Sequence, residues 1–469
     1  MTRSSAAAAM LAFTALAHGG AAWAAKPADM IIRNATMLTI DAERHVYEKG
    51  VVVIREGRIA AVGGADLAAE YKAPTVIDAG GDIVMPGMIN GHNHLSMSAF
   101  RGVRSSNPNP TLFNFFFPLE KAMLSRDLIR VAARQAAIES AMGGVTMVTD
   151  AYYHEDEVAK AVAQVGIRGV LGEGVINFPV VDSKEPYGGL EYARTFIKAW
   201  KGHELITPAV APHAPYTLTA EWLLKCRDLA AREGVPILMH IAEIPQEEAL
   251  IENNLKVSLN GKSVIKYLDS IGFLTDNLVA AHVIHVDDED MAILKRHGVG
   301  ISHNPKSNLF GENGFSPAWK MFEMGMDVGL GTDGPVGISK MEILDVMGYA
   351  TAVARSFDRE ATRVKPFELV YMATMGGAKA LDKEAEIGSL EVGKKADIII
   401  IDVDTPNMQP RFDPYYQVAV SAYPSNVLTT IVGGKFVMRD RVIQNVDMDQ
   451  HYAEWAPIVQ KVQDFGLEL

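Results

Sequence analysis

From Val84 to Asp333 the chain repeats one pattern: a short apolar run, a polar tip, then a stretch with apolar residues at helical spacing. The first run, Val84-Met85-Pro86-Gly87-Met88-Ile89-Asn90-Gly91, leads into His92-Asn93-His94. Residues 144–149 end at Asp150, and residues 167–172 end at Glu173. Residues 206–212 end at His213, 236–239 at His240 and 278–281 at His282. The last two runs, 299–302 and 327–332, end at His303 and Asp333. Amphipathic stretches such as 128–142, 221–232 and 291–297 separate them. Short apolar runs alternating with helices predict parallel strands covered on both faces. Eight such units predict an α/β fold, a (β/α)8 TIM barrel over residues 84–393. The working groups of such a barrel stand at the C-terminal ends of its strands, where these polar tips fall.

On both sides of the barrel the pattern shifts to strands and tight turns. Residues 30–32, 37–40, 50–54 and 58–62 read as strands, the last two joined by the turn Glu56-Gly57. Residues 396–402, 427–432 and 435–438 read as strands too, with Gly433-Gly434 as a hairpin turn. They predict a small β-sandwich built from both chain ends, residues 26–83 and 394–445. A C-terminal helix follows, in residues 446–469.

Composition narrows the function classes. The chain has 469 residues, is 48% hydrophobic and carries a formal net charge of −13. That length and apolar content suit a barrel plus a smaller domain. An acidic balance offers no cationic excess for a phosphate backbone, so no nucleic acid partner is expected. The one cysteine, Cys226, rules out an intrachain disulfide and reads as a small buried hydrophobe. Residues 1–25 resemble an export signal: Arg3, an apolar stretch from Ala6 to Ala17, then Ala22-Trp23-Ala24 as small residues for cleavage. A secreted or periplasmic protein is therefore expected, with no membrane attachment after cleavage.

The polar tips carry the candidate chemistry. His92 and His94 stand two apart, so an extended backbone aims both at one point. His240, His282 and Asp333 end other strands of the same barrel. Imidazoles plus one carboxylate, with room for water, make a catalytic metal site.

Seven segments carry a resemblance. They are Pro86 to His94, Pro212-His213-Ala214-Pro215-Tyr216, His240-Ile241-Ala242-Glu243, Ala281-His282-Val283-Ile284-His285, Ser302 to Asn308, Gly331-Thr332-Asp333-Gly334 and Ile387 to Asp397. Together they are similar to the amidohydrolase superfamily. More narrowly, they resemble the branch that holds 5′-methylthioadenosine/S-adenosylhomocysteine deaminases and triazine chlorohydrolases. The resemblance implies His92, His94, His240 and Asp333 as metal ligands. No lysine stands at the end of strand four, where His213 is found, so one divalent ion is expected; zinc is the default and iron(II) the alternative. Glu243 is implied as the group that moves a proton from water to the leaving nitrogen. His282 is implied to orient the attacking water, with His285 a weaker candidate. Asp333 is implied to be a proton acceptor as well as a ligand. His213 resembles the residue that meets the leaving side of a purine, and Glu120 the one that binds ribose hydroxyls. Relatives often form homo-oligomers.

Two departures from the branch stand out. Gly334-Pro335-Val336-Gly337 replaces an Asn-rich stretch, and Glu173 stands where homocysteine-accepting members carry an arginine. A carboxylate there would repel another carboxylate, so Glu173 is expected to touch substrate and to disfavour S-adenosylhomocysteine. The expected activity is metal-dependent deamination of an amino-substituted heterocycle, an adenine nucleoside such as 5′-methylthioadenosine or adenosine. The alternative is hydrolysis of another C–N or C–Cl bond, in a triazine, guanidine or amide. A non-enzymatic binding barrel is the reading from a different class.

Overall fold

The computed structural model describes residues 25–103, 112–338, 340–358 and 364–466. The expected export segment lies outside them, apart from Ala25.

Besides a two-residue pair, Lys26–Pro27 with Tyr71–Lys72, five strands come first: β1 (Met30–Leu38), β2 (Val46–Arg55), β3 (Arg58–Gly63), β4 (Thr75–Asp78) and β5 (Ile83–Pro86). The barrel strands follow: β6 (Met88–Asn90), β7 (Val145–Tyr152), β8 (Arg168–Val175), β9 (Ile206–Pro212), β10 (Ile237–Ile241), β11 (Leu278–His282), β12 (Gly300–His303) and β13 (Val328–Leu330). All pair in parallel, each with its neighbours in sequence. The first and last strands are tied where they lead into the site. Gly91 N–H donates to Leu330 O at 2.8 Å and Asp333 N–H to His92 O at 3.0 Å. Ile89, Met147, Val170, Ala209, Leu238 and Val279 fill the barrel interior as one apolar cluster.

Helices cover the outside. Helix α1 spans Phe117–Met123 and α2 spans Arg126–Met142. Ser125 caps α2 by accepting Leu128 N–H at 3.3 Å. Helix α3 spans Glu155–Val165. The acidic run at Asp287 is a helix start, as its composition suggests: Asp287 and Asp290 form a reciprocal capping box.

The remaining strands are β14 (Ile398–Ile401), β15 (Val427–Val432), β16 (Lys435–Arg439) and β17 (Val442–Ile443). They join β1 to β5 in one nine-stranded mixed sheet, through β14 against β5. The sandwich expected from both chain ends is thus a single sheet that folds back on itself. Ala396 N–H donates to Gly57 O at 2.9 Å, and Gly434 N–H to Ala396 O at 3.0 Å.

Two boundaries differ from the sequence reading. The expected strands at 30–32 and 37–40 are one strand, β1, with register shifts between Ile32 and Met37. Asn34 absorbs the irregularity at φ 57°, a conformation asparagine tolerates. The run from Val84 to Gly91 is two strands, not one. Ile83–Pro86 belongs to the mixed sheet, and the barrel begins at Met88. Gly87 makes the turn between them, and a Cβ there would lie 2.1 Å from Thr146 side-chain atoms. An apolar pattern cannot reveal that break, because both halves are fully buried.

Candidate metal centre and active site

His92 and His94 leave β6 together, both buried. His240 ends β10 on the same interior face as Leu238, two residues before it. Asp333 follows β13 with φ 67°, a left-handed backbone that is costly for a non-glycine residue and recurs at functional sites. The four side chains converge. Asp333 Oδ1 lies 3.6 Å from His92 Nε2 and 3.4 Å from His94 Nε2. The His92 ring centroid is 4.8 Å from that of His240.

The tautomers decide what this cluster can hold. His94 Nδ1 donates to Ala151 O at 2.9 Å, and His240 Nδ1 donates to His213 O at 2.7 Å. Each Nε2 is therefore a bare lone pair, and the two lie 3.2 Å apart. His92 Nε2 and His282 Nε2 are buried without a hydrogen-bond partner. Burial pushes His94 down to about 4, holds His92 well below its usual range and lowers His240. Burial alone would raise Asp333, but its histidine neighbours hold it well below the usual carboxylate range. Neutral imidazoles facing an ionised carboxylate are the donor set a divalent ion takes. The residues present fit a metal. The exposed group Asp41, Glu43 and His45 also gathers three donors, but Asp41 and His45 are already paired to each other.

Around this cluster stand the residues expected to move protons. Glu243 follows β10, with Oε1 3.9 Å from His282 Nε2. By alternation from the barrel-facing Val279, His282 would point outward. Its left-handed backbone, φ 74°, breaks the alternation, and the ring lines the cavity. His285 Nε2 donates to Asn313 O at 2.9 Å, and this residue does not line the cavity. His303 is buried in the wall of the fold.

Sequence reasoning missed the residues that hold these groups. Glu247 is buried and accepts Ala242 N–H at 3.1 Å and Glu243 N–H at 2.8 Å, fixing the turn that presents Glu243. Burial pushes its carboxyl up to about 8. Asn313 Nδ2 donates to Glu243 Oε1 at 3.1 Å. Asn308 Oδ1 receives His282 Nδ1 at 2.8 Å, which leaves His282 Nε2 facing the cavity as an acceptor. The Ser307 hydroxyl donates to Asp333 Oδ2, while Gly334 N–H donates to Oδ1.

A cavity of about 550 Å³ opens onto this centre. His213 lines it, and its ring lies 5.8 Å from Phe117 and 5.0 Å from His240. Its carbonyl also orients His240, so this residue acts through both backbone and ring. Glu120, on α1, lines the cavity and accepts the Tyr152 hydroxyl at 2.7 Å. The Tyr152 ring lies 5.9 Å from His94, so Glu120 stands one tyrosine away from the histidine cluster. Burial pushes the Glu120 carboxyl up to about 8.

The amidohydrolase family model matches residues 83–437. The chain belongs to the amidohydrolase family. A 5-methylthioadenosine/S-adenosylhomocysteine deaminase from Syntrophobacter fumaroxidans is 35% identical over 425 residues, covering 90% of this chain and 96% of that one. A 5′-deoxyadenosine deaminase from Methanosarcina mazei is 35% identical over 423 residues, covering 90% and 95%. Among solved structures, a zinc-bound adenosine deaminase from Xanthomonas campestris superposes with a TM-score of 0.89 at 26% identity, covering 94% of this chain and 100% of that one.

In this amidohydrolase the two departures have different outcomes. Pro335–Ile338 forms a short helix, and Val336 and Ile338 turn an apolar face to the cavity. Glu173 does not reach the cavity. Val170 points into the barrel, so Glu173 points out of it and Gly174 takes the inner position. Glu173 Oε2 instead accepts Glu155 N–H at 3.1 Å at the start of α3. Burial and the nearby Asp182 hold it well above the usual carboxylate range. The expected contact between Glu173 and substrate is therefore absent.

Proposed function

We propose that this protein is a metal-dependent aminohydrolase that deaminates an adenine nucleoside. The observation that carries the reading is the facing pair of bare Nε2 atoms on His94 and His240, with Glu243 and His282 beside them at the floor of the cavity. The deaminase relatives at 35% identity support the substrate class. Zinc suits the three imidazoles and one carboxylate, and the zinc-bound neighbour supports it; iron(II) accepts the same donors.

His92, His94, His240 and Asp333 would hold a divalent ion, which would supply Lewis acidity toward water. The chain's own groups do the rest. Asp333, fixed by Ser307 and Gly334, accepts a proton from the attacking water. His282, its Nδ1 held by Asn308, aims Nε2 as an acceptor at the same water. Glu243 takes the other proton of the water and delivers it to the ring nitrogen as the carbon–oxygen bond forms. Asp333 returns its proton to the amino group, which leaves as ammonia, so both protons of the one water consumed are accounted for. Glu120 and Tyr152 present oxygens to the ribose hydroxyls, and His213 and Phe117 flank the ring.

The test is ammonia release from metal-loaded protein given 5′-methylthioadenosine, 5′-deoxyadenosine, adenosine and a chlorotriazine. Ammonia from a nucleoside supports the reading. Chloride from the triazine, with no ammonia from any nucleoside, overturns it. We also propose that residues 1–25 direct export, on the strength of Arg3, the apolar stretch and the small residues at 22–24. Full-length protein retained in the cytosol of the producing cell would refute that.

A further inference from the structure

We propose that the site selects nucleosides whose 5′ substituent is uncharged and rejects those that carry an amino-acid tail. This rests on the nucleoside reading above and fixes the substrate within it.

Among the described residues no lysine or arginine lines the cavity. Its acidic side chains are three: Glu120, Glu243 and Asp333. The remaining wall is largely apolar, including Phe116, Phe117, Ile176, Leu250, Phe310 and Ile338. A zwitterionic tail must bury an α-carboxylate somewhere along this wall. It would lose its hydration and find no cationic side chain to pair with.

Any pairing of the α-ammonium with Glu120, Glu243 or Asp333 leaves the α-carboxylate without a cationic side chain. Nor does the third barrel strand help. It offers the cavity only Gly174, where a Cβ would lie 2.9 Å from Tyr152 O. No larger side chain fits there without moving backbone, so a cation cannot be supplied from that position. A thioether or a bare methyl group, by contrast, gains from contact with the apolar wall.

The experiment compares kcat/KM for three substrates on the metal-loaded enzyme. 5′-Methylthioadenosine has a short uncharged tail. 5′-Butylthioadenosine has an uncharged tail of the reach of homocysteine. S-adenosylhomocysteine has that reach with both charges. The expected result is that the first two fall within about tenfold of each other while the third is lower by on the order of 100-fold, as for a polar group left unpaired in a closed site. S-adenosylhomocysteine within tenfold of methylthioadenosine overturns the inference. So does a butylthio compound as poor as S-adenosylhomocysteine, because length and not charge would then decide. Silence on all three and on adenosine overturns the nucleoside reading itself, and this inference falls with it.

Discussion

His94 and His240 meet nitrogen to nitrogen: their Nε2 atoms lie 3.2 Å apart while a backbone carbonyl holds each Nδ1. Two lone pairs cannot hydrogen-bond to each other, and burial keeps both rings neutral. The fold therefore carries a repulsive pair that a cation relieves. Chelation is expected to abolish turnover and lower the melting temperature, with zinc restoring both. An ion present at 1,000 times its Kd stabilises the fold by about 4 kcal/mol. His94→Ala should lose bound metal and respond little to added zinc. Metal analysis and calorimetry on the same samples check this; a chelator-insensitive Tm would count against a metal at these residues.

Glu243 touches neither the imidazole ligands nor Asp333 through any hydrogen bond, so its chemistry separates from metal binding. Glu243→Gln should keep its metal and lose turnover by about 10²- to 10⁴-fold, the range for a general acid–base group. Asn313→Ala removes the donor to Glu243 Oε1 and should cost about 10-fold or somewhat more, as for a hydrogen bond to a charged group. Steady-state rates beside metal content decide between them. Near-normal turnover in Glu243→Gln would place the proton transfer elsewhere.

Glu247 holds Glu243 by its backbone. Glu247→Ala leaves the Ala242 and Glu243 amides without their acceptor, a penalty of about 1–3 kcal/mol each when buried. Ala242 already sits at φ 52°, so the turn has little else to hold it. Turnover should fall with KM nearly steady, because the cavity wall stays in place. Glu247→Gln keeps one acceptor oxygen and should fall between the wild type and Glu247→Ala. Equal loss in kcat and in substrate affinity would point to general disorder of the loop instead.

The convergence of three histidines and Asp333 was legible in the sequence because each stands at or near the end of a strand whose apolar run announces it. His92, His94, His240 and Asp333 need only the barrel to bring them together. Glu247, Asn308, Asn313 and Ser307 were not legible, since each reaches its partner through a loop whose path no periodicity records. Glu173 shows the opposite failure. It was read as the tip of its strand, but the strand runs on to Val175, and whether a residue near its end faces inward depends on register. Val170 sets that register, and it puts Gly174 inside. The division at Gly87 was hidden for a related reason: both flanking strands are buried on all sides, so their apolar run is continuous.

Glu120 should make stability depend on pH. Its folded carboxyl titrates at about 8, above the ordinary 4.5. Folding therefore takes up a proton between those values, and stability is lost as pH rises through that window. Glu120→Gln cannot ionise and removes this dependence. The variant's melting temperature should match the wild type near pH 5 and exceed it by several degrees near pH 9. Parallel melting curves for both proteins across pH 5–9 would show that Glu120 does not titrate in this range.

Arg168 begins β8 at the end of the barrel away from the site, and it joins the barrel to the mixed sheet. Its Nε donates to Asp397 Oδ2 at 2.7 Å and its terminal nitrogen to Oδ1 at 2.9 Å, both side chains buried. Such a pair is costly to assemble but far costlier to halve. Arg168→Ala strands the Asp397 carboxylate and should destabilise by about 3–5 kcal/mol. Arg168→Met with Asp397→Leu should recover much of that, short of wild type because Gly433 N–H loses its acceptor at 2.8 Å. Chemical denaturation measures both. The kcat of the folded single variant should match wild type, because the strand's other end carries the chemistry. A single variant as stable as wild type would mean that solvent reaches Asp397 and that the pair does not bind the two parts of the fold together.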